Sequence, residues 1–99
     1  MIETVSPTGD LDELVLDALQ EQLAAVGDDA ELVLDFSAVT FCGSACIRLL
    51  IETDNRLRSG GGSLIIRNAQ SVVRRAFAVG AVDFLLEPEP DGDDLNAAG

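Results

Sequence analysis

Two short apolar runs that flank a helical pattern constrain the fold of this chain more than any other feature. The runs are ELVLDF at residues 31–36 and SLIIR at residues 63–67, and both have the length typical of buried parallel strands. Between them, inward-facing positions recur at intervals of three and four residues, which predicts a helix over residues 44–59. These positions are Cys46, Leu50, Thr53 and Leu57. Because parallel strands need a long crossover connection, the order strand, helix, strand indicates an α/β fold.

The rest of the chain continues this alternation. IETVSP near the start can form a short extended segment, and a pattern of Leu and Val predicts a first helix over residues 12–26. Asp10 and Glu13 have the spacing of a capping box for that helix. Ser71 is expected to cap a third helix over residues 71–79. We therefore expect a small α/β domain in which a mixed central β-sheet is flanked by helices.

The domain organisation follows from length and composition. Residues 1–87 suffice for one small domain, whereas two domains would each be too small to bury an adequate core. From residue 87 the sequence EPEPDGDDLNAAG holds five acidic residues and no basic one. Because such a composition buries little, residues 88–99 are predicted to form an acidic, disordered tail. The chain has neither a long apolar stretch nor a secretory signal, so we expect a cytoplasmic protein without membrane insertion.

The charge of the chain argues against several ligands. Eighteen acidic residues face six basic ones, which gives a formal net charge of −12. Nucleic acid and anionic lipid are therefore not expected to bind, because both are recognised by Lys and Arg. Residues 1–47 contain ten acidic residues and no basic residue, so a partner with a basic patch would be steered to this half, although acidity is also a common means of staying soluble.

The residue types also argue against an enzyme. The chain has no His, Tyr, Trp or Lys, which removes most general bases that work near neutral pH. The glycine-rich stretch SGGGS at residues 59–63 follows a helix and precedes a strand, whereas a phosphate-binding loop has the opposite order. We expect no enzymatic activity and no cofactor.

The segment FCGSAC at residues 41–46 concentrates the reactive side chains. Ser44 is either the cap of the helix that follows or a site of modification. Cys42 and Cys46 supply only half of a tetrahedral metal site, so no metal is expected. Both are interpreted as small buried hydrophobic residues, with a redox pair at a helix start as the alternative.

The stretch LVLDFSAVTFCGSACIRLL at residues 32–50 resembles the signature of STAS domains, the fold of bacterial anti-sigma factor antagonists. In that family an apolar strand ending in Asp-(Leu/Phe)-Ser leads through Val-Thr-Phe to Asp-Ser-x-Gly-Leu. GDLD at residues 9–12 and SLIIRNAQSVVRRAFAVGAVDFLL at residues 63–86 are similar to flanking parts of the family. Two positions differ, since Gly43 stands where the family has Asp and Cys46 where it has Gly.

The resemblance implies a STAS-like domain that acts as a switch in sigma factor regulation, a form of transcription regulation. Its members bind an anti-sigma factor with serine kinase activity and thereby release a sigma factor. Phosphorylation of the serine that aligns with Ser44 ends this binding, and a serine phosphatase resets the switch. By this resemblance Ser44 is the phosphorylation site, and the partner-binding residues are Phe41, Cys42, Gly43, Ser44, Cys46, Ile47 and Arg48.

Two alternatives remain open from the sequence. The first is a STAS adaptor subunit that is not phosphorylated, for example one that docks on the ATPase of a lipid-transport complex. The second is a thiol-based sensor that uses Cys42 and Cys46.

Overall fold

Two strands precede each of the first two helices, and the two apolar runs form strands on either side of the second helix as predicted. The protein is described by a computed structural model that covers residues 2–86. Five strands are present: β1 Ile2–Val5, β2 Gly9–Leu11, β3 Glu31–Asp35, β4 Val39–Cys42 and β5 Ser63–Arg67. The three helices are α1 Glu13–Ala24, α2 Ser44–Ser59 and α3 Ser71–Val79, and a 3-10 turn at Asp83–Leu85 follows them.

The strands form two parallel sheets. In the larger sheet β3 lies between β1 and β5, with Glu31 opposite both Ile2 and Ser63. In the smaller sheet β2 pairs with β4. The expected α/β class with flanking helices is confirmed, but the expectation of a mixed sheet needs correction, because every strand pair within residues 2–86 is parallel. The crossovers through α1 and α2 explain this, since a helical connection returns the chain in the same direction.

The core lies between these sheets and the helices. Helix α2 contacts α1, β4 and β5, and α3 contacts β4 and the 3-10 turn. The largest fully buried side chains include Phe36, Phe77, Leu32, Leu34 and Leu50. Leu32 and Leu34 alternate with less buried residues along β3, and the buried apolar residues of α2 and α3 recur at helical spacing, as expected of elements with one buried face.

The ends of α2 and α3 share one backbone motif. In each, the amide two residues past the helix cap donates to the carbonyl oxygen of the third-last helical residue: Gly62 to Leu57 at 2.7 Å and Val82 to Phe77 at 2.9 Å. The motif needs a left-handed residue between cap and donor. Gly61 supplies it in α2 with φ +93°, whereas α3 uses Ala81 with φ 59°.

The described residues 2–86 end at the predicted domain boundary. The acidic tail predicted for residues 88–99 lies outside the described residues and stays a prediction. Within residues 2–86, no helix combines the length and apolar character needed to cross a membrane.

Candidate functional site

Ser44 is the first residue of α2 and not its cap. Gly43 occupies the cap position with extended backbone angles, and it has no side chain that could bond to the helix. The first helical hydrogen bond runs from the Ile47 amide to the Gly43 carbonyl at 2.9 Å. The capping interpretation of Ser44 is therefore corrected: its hydroxyl is exposed and belongs to the first turn, where backbone amides lack intrahelical partners.

The other two predicted caps are also displaced. Helix α3 begins at Ser71, but its cap is Gln70, without a side-chain bond. Helix α1 is capped by Asp12, whose carboxylate accepts a hydrogen bond from the Val15 amide at 3.2 Å. Asp10, predicted to cap α1, instead lies in β2 and accepts a hydrogen bond from the Thr40 hydroxyl of β4.

An exposed surface surrounds Ser44. Phe41, at the end of β4, is 53% exposed although it is aromatic. Its ring covers Gly43, because a Cβ added there would lie 3.1 Å from Phe41 Cε2. Ser44 and Arg48 are exposed one helical turn apart, and Ile47 beside them is half-buried. We call Phe41, Gly43, Ser44, Ile47 and Arg48 the Ser44 surface.

The two cysteines do not belong to this surface. Cys42 is 4% exposed and Cys46 is fully buried, and both are free thiols within the core. The pKa of the Cys42 thiol is raised, first by its hydrogen bond with Cys46 and then by burial. The interpretation of both as small buried hydrophobic residues is confirmed. Their assignment as partner contacts stays a prediction, and their burial argues against it.

Burial of the thiols gives a first testable prediction. In native protein at pH 8, iodoacetamide should alkylate Cys42 and Cys46 at least about tenfold more slowly than in protein unfolded by guanidinium, because the reactive thiolate is scarce and shielded. Because the pKa of Cys42 is raised, its reaction should accelerate only at a pH well above that at which a free cysteine ionises. Intact mass against time measures this. Rapid alkylation, or loss of two hydrogens on mild oxidation, would instead support the thiol sensor.

The hydrogen bond between Asp10 and Thr40 could not be predicted from the sequence. These residues join β2 to β4 beside Phe41, since Asp10 and Phe41 are register partners in the smaller sheet. The interaction fixes the strand that presents Phe41. VTFC has no alternation of apolar and polar residues, and a segment of four residues is too short to be assigned from its pattern.

No metal centre accompanies this surface in the described part of the chain. Within residues 2–86, no group of three metal-ligating side chains is close enough to hold an ion. The SGGGS stretch is a packed helix end, because a Cβ on Gly60 would lie 2.5 Å from the carbonyl oxygen of Asp28. What the site offers is an exposed hydroxyl at a helix start, next to apolar contact area.

The parallel sheets, the three helices and the serine at the start of α2 define a small α/β domain of one recognisable class. A family model described as "Mlab, STAS domain" matches residues 3–87. The chain therefore belongs to the STAS domain family, which confirms the resemblance found in the sequence.

Solved structures agree with this fold. The anti-sigma factor antagonist SpoIIAA in its unphosphorylated form has a TM-score of 0.75 and 16% identity, over 98% of this chain and 87% of that one. The phosphorylated form of the Bacillus cell fate determinant SpoIIAA has a TM-score of 0.68 and 14% identity, over 99% and 91%. The SulP transporter STAS domain from Vibrio cholerae has a TM-score of 0.60 and 20% identity, over 98% and 80%. No curated protein is similar enough in sequence to count as a match.

Proposed function

We propose that this protein is a cytoplasmic anti-sigma factor antagonist. It binds an anti-sigma factor with serine kinase activity, so that a sigma factor is released, and phosphorylation at Ser44 switches it off until a serine phosphatase removes the phosphate. It acts as a regulator and not as an enzyme. The observation that carries the proposal is the exposed Ser44 hydroxyl at the start of α2, next to the half-exposed ring of Phe41.

The surroundings of Ser44 support a switch of this kind. A phosphate adds about −1.5 to −2 charges at neutral pH, and at the first turn of α2 it meets the positive end of the helix dipole and unpaired amides. The folded domain therefore tolerates the charge. A partner packed on Phe41 and Ile47 does not, because the phosphate loses water there and Arg48, one turn along α2, supplies only a single positive charge. The same modification thus leaves the fold intact and blocks docking.

The relatives of known structure are consistent with this proposal. SpoIIAA is an anti-sigma factor antagonist, and its structures include an unphosphorylated and a phosphorylated form. Identities of 14% and 16% carry the fold alone, so the role of Ser44 needs its own experiment.

That experiment is affinity capture from the native cell followed by a kinase assay. The captured partner should be an anti-sigma factor with a kinase domain, and with ATP it should add one phosphate to the wild-type chain and none to Ser44→Ala. Intact mass and fragment spectra read out both results. Capture of such a kinase that phosphorylates another residue, or none, would refute the proposed switch.

A specific observation favours a second candidate function. The matching family model has the description "Mlab, STAS domain", and Gly43 and Cys46 stand at positions where the antagonists have Asp and Gly. Both facts suit an adaptor subunit that is not phosphorylated, for example on a lipid-transport ATPase. The same capture distinguishes the two, because the adaptor would recover transporter subunits. The thiol sensor gains no support, since both thiols are buried.

A further inference from the structure

A groove runs between α1 and α2, the helices before β3 and after β4. Its wider part is a cavity of about 380 Å³ between α1 and the first half of α2. Leu16 of α1 and Leu49 of α2 form an apolar floor, and both are only partly buried. A second cavity of about 190 Å³ shares Leu49 and Glu52 and continues the depression along both helices. We call this depression the α1–α2 groove.

The rim of the α1–α2 groove is strongly acidic. Glu13 and Asp17 border it on α1 and Glu52 borders it on α2, and all three are exposed. None of the three forms an ion pair with another residue of the described range 2–86. Arg48 is the one cation on the rim of the wider cavity, so the rim carries a net charge of about −2.

Arg56, which lines the smaller cavity, and Arg58, two residues further along α2, form no ion pair with these three carboxylates. Arg56 bonds to Asp28 and donates to the carbonyl oxygens of Leu23 and Val26, at 2.7 and 3.0 Å. Arg58 donates to both carboxylate oxygens of Asp54, at 3.0 and 2.9 Å. Because both guanidinium groups are engaged elsewhere and Arg48 offsets only one of the three acidic charges, further cations have to come from a binding partner.

We propose that the α1–α2 groove binds a basic amphipathic helix of a partner protein. An apolar stripe on that helix covers Leu16 and Leu49, and its Lys and Arg side chains approach Glu13, Asp17 and Glu52. A helix suits the site because side chains of α1 and of α2 line the depression on its two sides, as a helix requires of a groove into which it packs. A second copy of this chain is disfavoured by its charge of −12, and an anionic membrane surface by the same sign of charge.

This interaction is separate from the proposed phosphorylation switch. The groove lies on the flank of α2 that faces α1, and it includes neither Ser44 nor Phe41. Arg48 alone belongs to both the groove and the Ser44 surface. The inference therefore does not depend on the identity of the kinase, and Ser44→Asp should leave it unchanged.

The test uses a synthetic helical peptide of about 15 residues, with Leu every three or four positions and Lys elsewhere. Amide chemical shifts and titration calorimetry at about 0.15 M salt, where surface charges are screened beyond about 8 Å, report the site and the affinity. The largest shifts should lie on the facing sides of α1 and α2. The double variant Asp17→Lys, Glu52→Lys should bind at least about tenfold more weakly than wild type.

The matched control is the double variant Glu21→Lys, Glu31→Lys. It reverses the same number of charges at exposed positions outside the groove, so its affinity should change less than about threefold. Melting curves of both variants check that they fold. Equal losses in the two variants, equal binding of a Lys peptide without an apolar stripe, shifts centred on the Ser44 surface, absence of binding, or self-association through Leu49 would each overturn the proposal.

Discussion

Replacing Ser44 by Asp is expected to weaken binding of the anti-sigma factor by about a hundredfold or more while the domain stays fully folded. A hundredfold change corresponds to about 2.7 kcal/mol at 25 °C, which is within the cost of placing an unpaired charge in an apolar contact. In the free protein the same carboxylate lies in the first turn of α2, where the helix dipole contributes about 0.3 to 1 kcal/mol of stabilisation. Binding and stability should therefore change in opposite directions.

Calorimetric affinity and a melting curve for each variant measure this divergence. Ser59→Asp is the matched control, because it places the same charge at an exposed serine at the far end of the same helix, about 22 Å away. It should bind the partner as wild type does. Ser44→Ala should also bind normally, with nearly unchanged stability, because Gly43 and not Ser44 occupies the cap position.

Other outcomes would remove Ser44 from the binding mechanism. If wild type, Ser44→Ala and Ser44→Asp bind equally, the residue is not part of the contact. If Ser44→Asp loses affinity only because its melting temperature falls, the effect is one of folding.

Replacing Gly62 by Ala is expected to destabilise the domain by about 3 kcal/mol, the largest effect on stability that we predict. A Cβ at this position would lie 2.1 Å from the carbonyl oxygen of Ala30, far inside van der Waals contact. The same oxygen accepts a hydrogen bond from the Ser63 amide at 3.0 Å, which begins the pairing of β3 with β5. Any backbone movement that relieves this clash therefore disturbs the pairing of β3 with β5 where it begins.

Chemical denaturation of wild type and Gly62→Ala would measure this loss, provided that the free energy of unfolding falls with denaturant concentration at the same slope in both proteins. Gly27→Ala is the matched control, since its Cβ would meet only the Asp29 carboxylate at an ordinary 3.4 Å. It should be neutral or gain a few tenths of a kcal/mol, because alanine reduces the entropy of the unfolded chain. Equal stability of the two variants would show that the segment around Ala30 can move aside at little cost.

The larger elements of the fold could be predicted because their apolar residues recur at helical spacing over segments long enough to form helices. Helix α2 was expected over residues 44–59 and begins and ends there, and α1 was expected over residues 12–26 and covers Glu13–Ala24. The burial of Cys46, Leu50 and Leu57 followed from the same spacing. Such positions are decided by one buried face, which the sequence pattern records directly.

The smaller features depend on neighbours that the pattern does not record. Strands β2 and β4 have only three and four residues, and they are extended because they pair with each other. The position of Ser44 inside the helix differs from a cap by a single residue, a shift that periodicity does not resolve. The left-handed Ala81 and the α1–α2 groove arise from how elements meet in space, so no local pattern indicates them.

The central place of β3 has a consequence for how this domain emerges from the ribosome. Its two partners lie on either side of it in the chain, since β1 precedes it by about thirty residues and β5 follows it by about as many. Neither partner alone completes the larger sheet, so the nascent chain gains its cooperative stability only after Arg67 has left the exit tunnel. Until then the edge of β3 is unpaired and can associate with other chains. A chaperone would therefore protect the domain from aggregation mainly before β5 has been synthesised.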